Sequence, residues 1–139
     1  MTRYMLDTNT VSCLLKMNPV AMQRAREVPI SFLCISAITE GELLFGLAKR
    51  PEAMRLHAAV REFLRCVDVL PWDEEAAEHY AEARASLERK GKRLAPLDLL
   101  IASHSKSLGA VLVTNDQAFR VIDGLHLEDW SNTAGGSSS

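Results

Sequence analysis

Tyr4-Met5-Leu6-Asp7-Thr8-Asn9-Thr10 is the stretch that decides how this chain reads. Three apolar residues run into an aspartate, and small polar residues then open a helix. A parallel strand covered on both faces has this form, because it need not alternate apolar with polar. Asp7 has an ordinary reading as the helix N-cap, where a carboxylate accepts from orphan N–H groups. It also stands at the carboxyl end of a first strand, where open α/β sheets hold their ligands. The same pattern recurs downstream and favours the second reading.

Outward from that stretch, strand and helix alternate. Residues 3–7 are expected to form a strand, followed by helices from Thr8 to about Lys16 and from Pro19, a helix-opening position, to about Val28. Phe32-Leu33-Cys34-Ile35 reads as a second strand, and a helix from Ala37 to Arg50 ends at Pro51. Residues 52–66 carry Met54, Ala58, Phe63 and Cys66 among charges and are expected to be an amphipathic helix. Val67-Asp68-Val69-Leu70 is a third strand. Asp73 caps a helix reaching Lys90, with Ala76, Tyr80, Ala83 and Leu87 on one stripe and Gly91 as its stop. Pro96 opens a helix that ends at Gly109, and Ala110-Val111-Leu112-Val113 delivers Thr114-Asn115-Asp116. A helical turn and an edge strand at 126–128 complete the pattern. Apolar strands separated by helices give a parallel sheet of four or five strands with helices on both faces.

The 139 residues are expected to form a single domain over 1–131. The small, polar stretch 132–139 reads as a disordered tail or an appended linker. Nearly half the residues are hydrophobic (47%) and 24% are charged, the balance of a soluble globular protein. No apolar run is long enough to span a bilayer, and no signal-peptide pattern opens the chain. Cys13, Cys34 and Cys66 are odd in number and lie among apolar neighbours, so they read as reduced core thiols of a cytoplasmic protein. No CxxC or HxxxH spacing supports a zinc site. A net charge of −2 argues against a protein that coats nucleic acid non-specifically, while leaving room for a local basic patch.

The acids carry the chemistry. Asp7 and Asp116 each follow a strand. Asp98 lies in the first turn of a helix whose neighbours Leu97, Leu99, Leu100, Ile101 and Ala102 are apolar; the helix dipole accounts for an acid there. Burial, however, makes a carboxylate costly unless it is paired or binds a metal. Glu42 fits a capping box with Thr39, while its neighbours Leu43, Leu44 and Phe45 suggest a helix packed against the core; Glu40 competes with it, and position alone does not choose between them. Carboxylates converging without His or Cys suit Mg²⁺ or Mn²⁺, which activate water for phosphodiester cleavage. The GxSxG elbow and the phosphate-binding GxxxxGK[ST] loop are both lacking.

Four motifs in order then resemble the PIN-domain ribonucleases, and within them the VapC toxins of VapBC toxin–antitoxin modules. They are Leu6-Asp7-Thr8-Asn9; Ile35-Ser36 with Thr39-x-x-Glu42-Leu43 and Gly46; Pro96-Leu97-Asp98-x-x-Ile101-Ala102; and Val113-Thr114-Asn115-Asp116 with Phe119. Leu127-Glu128-Asp129-Trp130 is similar to the ending of many members. The resemblance implies a three-layer PIN-like fold and a metal-dependent endoribonuclease with Mg²⁺ or Mn²⁺ in a pocket of Asp7, Glu42, Asp98 and Asp116. It chooses Glu42 over Glu40. Thr114 is similar to a supporting hydroxyl residue of the family, and Asn9 to a recurrent position beside the first aspartate. Many relatives carry an Asp where Ala118 stands, which puts a second metal in question. The resemblance further implies a homodimer, a VapB-type antitoxin, RNA substrates that include tRNA in several relatives, and DNA contact only through the antitoxin.

Arg89-Lys90-Gly91-Lys92-Arg93 precedes Asp98. Those cations suit a helix C-terminus as well as they suit an RNA backbone. Trp72 and Trp130 read as packing residues, and His104 as structural on a stripe with Leu97, Leu100, Ile101 and Leu108. Leu44, Leu47, Met54 and Leu56 are expected to supply a dimer surface. Two rival readings are a catalytically silent interaction domain and a haloacid-dehalogenase-like phosphatase. The latter needs a second Asp where Asn9 stands.

Overall fold

A computed structural model describes residues 2–131; the tail expected at 132–139 lies outside the described residues. Five parallel strands form one sheet: β1 (Tyr4–Leu6), β2 (Leu33–Ser36), β3 (Asp68–Leu70), β4 (Val111–Val113) and β5 (His126–Glu128). Their spatial order is β3-β2-β1-β4-β5. Six α-helices connect them: α1 (Thr8–Leu15), α2 (Pro19–Arg26), α3 (Ala37–Ala48), α4 (Met54–Cys66), α5 (Glu74–Arg89) and α6 (Pro96–Ser107). Short 3-10 turns occupy Ile30–Phe32 and Gln117–Val121.

Strand residues alternate between two cores, which the unbroken apolar runs in the sequence conceal. Met5, Cys34 and Leu112 pack on one side with Ala83 and Leu87 of α5 and Leu99, Ile101 and Ala102 of α6. Leu6, Leu33, Ile35 and Val113 pack on the other with Val11 of α1, Leu43 and Leu47 of α3, and Val60 of α4. This is the period of two expected of a pleated strand, with both faces buried. The first two crossovers step outward from β1 to β3. The third carries the chain through α5 and α6 to the opposite side of β1. The strand order therefore reverses between β1 and β4, and a crevice opens there at the carboxyl ends of the strands.

Local signals act as expected at several ends. The carboxylates of Asp7 and Asp73 accept from the backbone N–H groups of Thr10 (2.8 Å) and Ala76 (3.0 Å). Pro19 and Pro96 open α2 and α6, and Gly91 adopts φ +66° just beyond α5.

Four expectations need correction. Ser36 caps α3, its hydroxyl accepting from the Ile38 N–H at 3.1 Å, so Thr39 lies inside the helix and no Thr39–Glu42 capping box forms. The buried face of α4 is centred on Val60 and flanked by Leu56, Phe63 and Leu64, whereas Met54, Ala58 and Cys66 are exposed. Of the three thiols only Cys34 is fully buried; burial pushes it up to about 11 and keeps it protonated, and Cys66 is exposed. Leu97 on α6 and Leu108 just after it are exposed, while His104 is buried, its Nδ1 2.8 Å from the Ser36 hydroxyl. No helix among the described residues is long and apolar enough to cross a membrane.

Candidate functional site

The reversal of strand order gathers the candidate acids at one edge. Asp7 follows β1 directly and is 3% exposed. Its backbone N–H donates to the Val113 carbonyl at 3.1 Å, which ties the end of β1 to the end of β4. Thr10, one turn later, donates its hydroxyl to the same carbonyl at 2.9 Å. Asp7 thus has both roles weighed from sequence: it caps α1, and it stands at the ligand edge of the sheet. Burial holds its carboxyl above the ordinary range, and hydrogen bonds from Thr114 and Thr10 partly offset that effect.

Thr114 is the hinge of the pocket. Its hydroxyl lies beside the Asp7 carboxyl, where it favours the charged form, and accepts from the Asp116 N–H at 3.0 Å. One side chain therefore orders the first and last acids together. The Asp116 carboxylate in turn accepts from the Ala118 N–H at 2.9 Å and starts the 3-10 turn. Asp98 sits half-buried in the first turn of α6. Its carboxyl is raised by burial first, and then by the negative charges of Asp116, Glu42 and Asp7. Asp98 is the residue that feels all three of the other acids.

Glu42, on α3, accepts a hydrogen bond from the Thr8 hydroxyl. Thr8 is the participant that sequence reasoning passed over. It is 34 positions away from Glu42, and no local pattern signals such a pair. Glu40 lies on the same helix; the bond to Thr8 belongs to Glu42 alone of the two. Asn9, the other proposed support, is exposed on the first turn of α1.

Among the described residues, no three Asp, Glu, His or Cys side chains are arranged closely enough to hold a metal ion by themselves. The four acids offer oxygen as their donor atom. That chemistry fits Mg²⁺, which keeps several waters and takes only one or two carboxylates directly. A bound cation would also relieve the repulsion felt at Asp98.

A groove of about 990 Å³ runs from Asp98 and Asp116 along the 91–96 connection to α5. Lys92 and Arg93 line it, together with Arg84, Tyr80 and Ala118. Arg89 and Lys90 are not among its lining residues, and Lys90 is paired with Asp123 instead. The basic run therefore splits, and only its second half faces the acids. Trp72 donates its ring N–H to the Leu100 carbonyl at 2.9 Å, and Trp130 is buried against Tyr4, so both tryptophans pack rather than stand open.

Comparison with known proteins shows the family of the chain. Residues 4–125 match the family model described as the PIN domain. The chain is 40% identical over 131 residues to the tRNA(fMet)-specific endonuclease VapC of Salmonella typhimurium, covering 94% of this chain and 99% of that protein. Its similarity to the enzyme of the same name from Shigella flexneri is 36% identity over 132 residues, 94% and 100% of the two chains. Among solved structures, DNA-bound VapBC from Salmonella typhimurium superposes with a TM-score of 0.87 at 39% identity, covering 94% and 99%. VapBC2 from Rickettsia felis, bound to a DNA fragment from the promoter, gives 0.85 at 30% identity, covering 93% and 99%.

Proposed function

The chain belongs to the PIN-domain family, among its VapC ribonucleases, and from that premise we propose that Asp7, Glu42, Asp98 and Asp116 form a Mg²⁺ or Mn²⁺ site that cleaves RNA, with tRNA as the substrate class. The observation that carries this reading is the meeting of acids at the carboxyl ends of β1 and β4, where Asp98 and Asp116 line one groove and Asp98 lies within reach of the charges of Asp116, Glu42 and Asp7. When bound, a divalent ion would supply a nucleophilic hydroxide and charge stabilisation at the phosphorus. The residues of this chain do the rest. Thr114 fixes Asp7 relative to Asp116, Thr8 holds Glu42, and Lys92 and Arg93 receive the phosphate backbone. Asn9 is assigned a supporting position beside Asp7.

Cleavage of single-stranded RNA is expected to require Mn²⁺ or Mg²⁺ and to stop in excess EDTA; undiminished cutting in EDTA would sink the metal assignment. Calorimetry with Mn²⁺ separates the enzyme from a silent interaction domain, which would bind none. Changing Lys92 and Arg93 to Ala should weaken RNA binding and flatten its dependence on salt, by about one unit of slope for each phosphate no longer neutralised. An unchanged slope would remove both residues from the phosphate path.

The partner reading follows the relatives, whose solved structures are VapBC complexes. It comprises a VapB-type antitoxin, DNA contact only through that antitoxin, and a homodimer in the cytoplasm. The dimer surface needs revision, because Leu47 is buried in the core while Phe45 and Met54 are 62% and 78% exposed. Exposed apolar groups of this size on neighbouring helices favour self-association. Light scattering at micromolar concentration should give twice the mass of one 15.4 kDa chain.

A further inference from the structure

The groove extends well beyond the four acids, and its far wall differs in chemistry from its phosphate-facing rim. Tyr80, Arg84, Leu87, Glu88 and Gly91 all line it. Their spacing of four, three, one and three residues places them on one face of α5 and its C-terminal extension. Tyr80 is half-buried, and its ring meets Trp72 edge-on at 6.0 Å and 75°. Trp72 is itself fixed to α6 through the Leu100 carbonyl. The Arg84 guanidinium donates to the Tyr80 hydroxyl at 2.9 Å and to the Glu88 carboxylate at 3.2 Å. Two partners thus set the orientation of its plane, and one of them offsets its charge.

Leu87, Leu94, Leu99 and Ala118 supply the apolar part of the lining. An anchored ring, an oriented guanidinium and an apolar floor are the surfaces on which proteins stack unpaired bases. A phosphate would find less here than at Lys92 and Arg93, because Arg84 already shares its charge with Glu88. A volume of about 990 Å³ also exceeds what one phosphodiester at the acids needs, and lies at the upper end for small-molecule pockets.

We propose that Tyr80 and Arg84 form a nucleobase subsite, which takes an unpaired base of a single-stranded RNA whose backbone runs past Lys92 and Arg93 to Asp98 and Asp116. The subsite rests on the ribonuclease reading and adds to it a means of choosing where the strand is cut. Stacking and charge contribute differently to binding, and this difference makes the subsite testable apart from the phosphate path. Removing a stacking surface lowers affinity at every salt concentration equally, whereas removing a phosphate-binding cation changes the slope.

The test uses the full chain in EDTA, so that nothing is cut, and a short fluorescent single-stranded RNA followed by anisotropy over a salt series. Tyr80→Leu and, at exposed positions safe for folding, the charge-balanced double variant Arg84→Met with Glu88→Gln should each weaken binding about tenfold with the salt slope unchanged. Tyr80→Phe, which keeps the ring, should bind nearly as the parent does. Moving a single abasic position along the RNA should reveal one place where the parent falls to the level of Tyr80→Leu. Parental affinity in both Tyr80→Leu and the Arg84→Met, Glu88→Gln variant, a reduced salt slope in either, or equal sensitivity at every abasic position would overturn the subsite while leaving the nuclease reading intact. Failure of the parent protein to bind RNA at all, or to cut it with Mn²⁺, would overturn both.

Discussion

Asp98→Asn is expected to abolish RNA cleavage without lowering the melting temperature of the metal-free protein. If Asp98 served only the dipole of α6, its replacement would cost roughly 0.3–1 kcal/mol and leave activity in place. The structure gives it a different burden, since burial and three neighbouring carboxylates all disfavour its charge. A raised carboxyl binds its proton more tightly in the folded chain than in the unfolded one. Its favourable contribution is therefore complete below the ordinary carboxylate value of about 3.9, and is lost as pH rises through the higher folded value. At neutral pH the charge is a net cost, which asparagine removes.

The variant should accordingly melt at or above the parental temperature at pH 7, and the difference should close as pH falls toward about 4, where the unfolded chain takes up the proton. Added Mn²⁺ raises stability only through preferential binding to the folded state, so its stabilising shift should shrink in the variant. Cleavage should fall by about a hundredfold or more, the scale of losing one pre-positioned charge-stabilising group. Melting curves with and without Mn²⁺ at two pH values, together with a cleavage assay, check all four statements. A variant that melts earlier, keeps its full Mn²⁺ shift and still cuts RNA would make Asp98 a helix-terminus residue.

Trp130→Ala should destabilise the protein by about 3–5 kcal/mol, the range for truncating a buried aromatic. Trp130 is 2% exposed and belongs to the core shared by Leu6, Val11 and Val113. Its ring lies 5.7 Å from that of Tyr4, and its N–H donates to the Glu128 carboxylate at 2.9 Å. It closes the chain back onto β1, two residues beyond β5. Its loss would therefore open a cavity under the strand that carries Asp7. Urea unfolding should show a lower midpoint with little change in slope. Trp130→Phe, which keeps most of the ring, should lose less. A cost below about 1 kcal/mol for the alanine variant would mean that this segment does not seal the core.

The sequence by itself determined the alternation of strand and helix, because each boundary carries its own local chemistry. Asp7 and Asp73 cap, Pro19 and Pro96 open helices, and Gly91 releases one. It also placed Asp7, Asp98 and Asp116 at element ends, since those positions depend only on neighbouring residues. The stripe on α4 was legible only as to its period: Met54 and Cys66 fit a helical repeat but face outward, while Val60 turns inward. Periodicity identifies the helix; the sheet it lies against selects the buried face.

What the tertiary structure decided are the relations between residues remote in the chain. The reversal of strand order at β1 and β4 brings Asp7 beside Thr114 and Asp116, more than a hundred positions later. It also divides each apolar strand between two cores. Ser36 took the capping role because it ends β2 just where α3 begins, which left Thr39 buried and Glu42 available to Thr8. A side-chain bond across 34 residues and a basic run divided between Asp123 and the groove depend on how layers pack. Local sequence carries no record of that, because hydrogen bonds and ion pairs of this kind follow from proximity in space rather than along the chain.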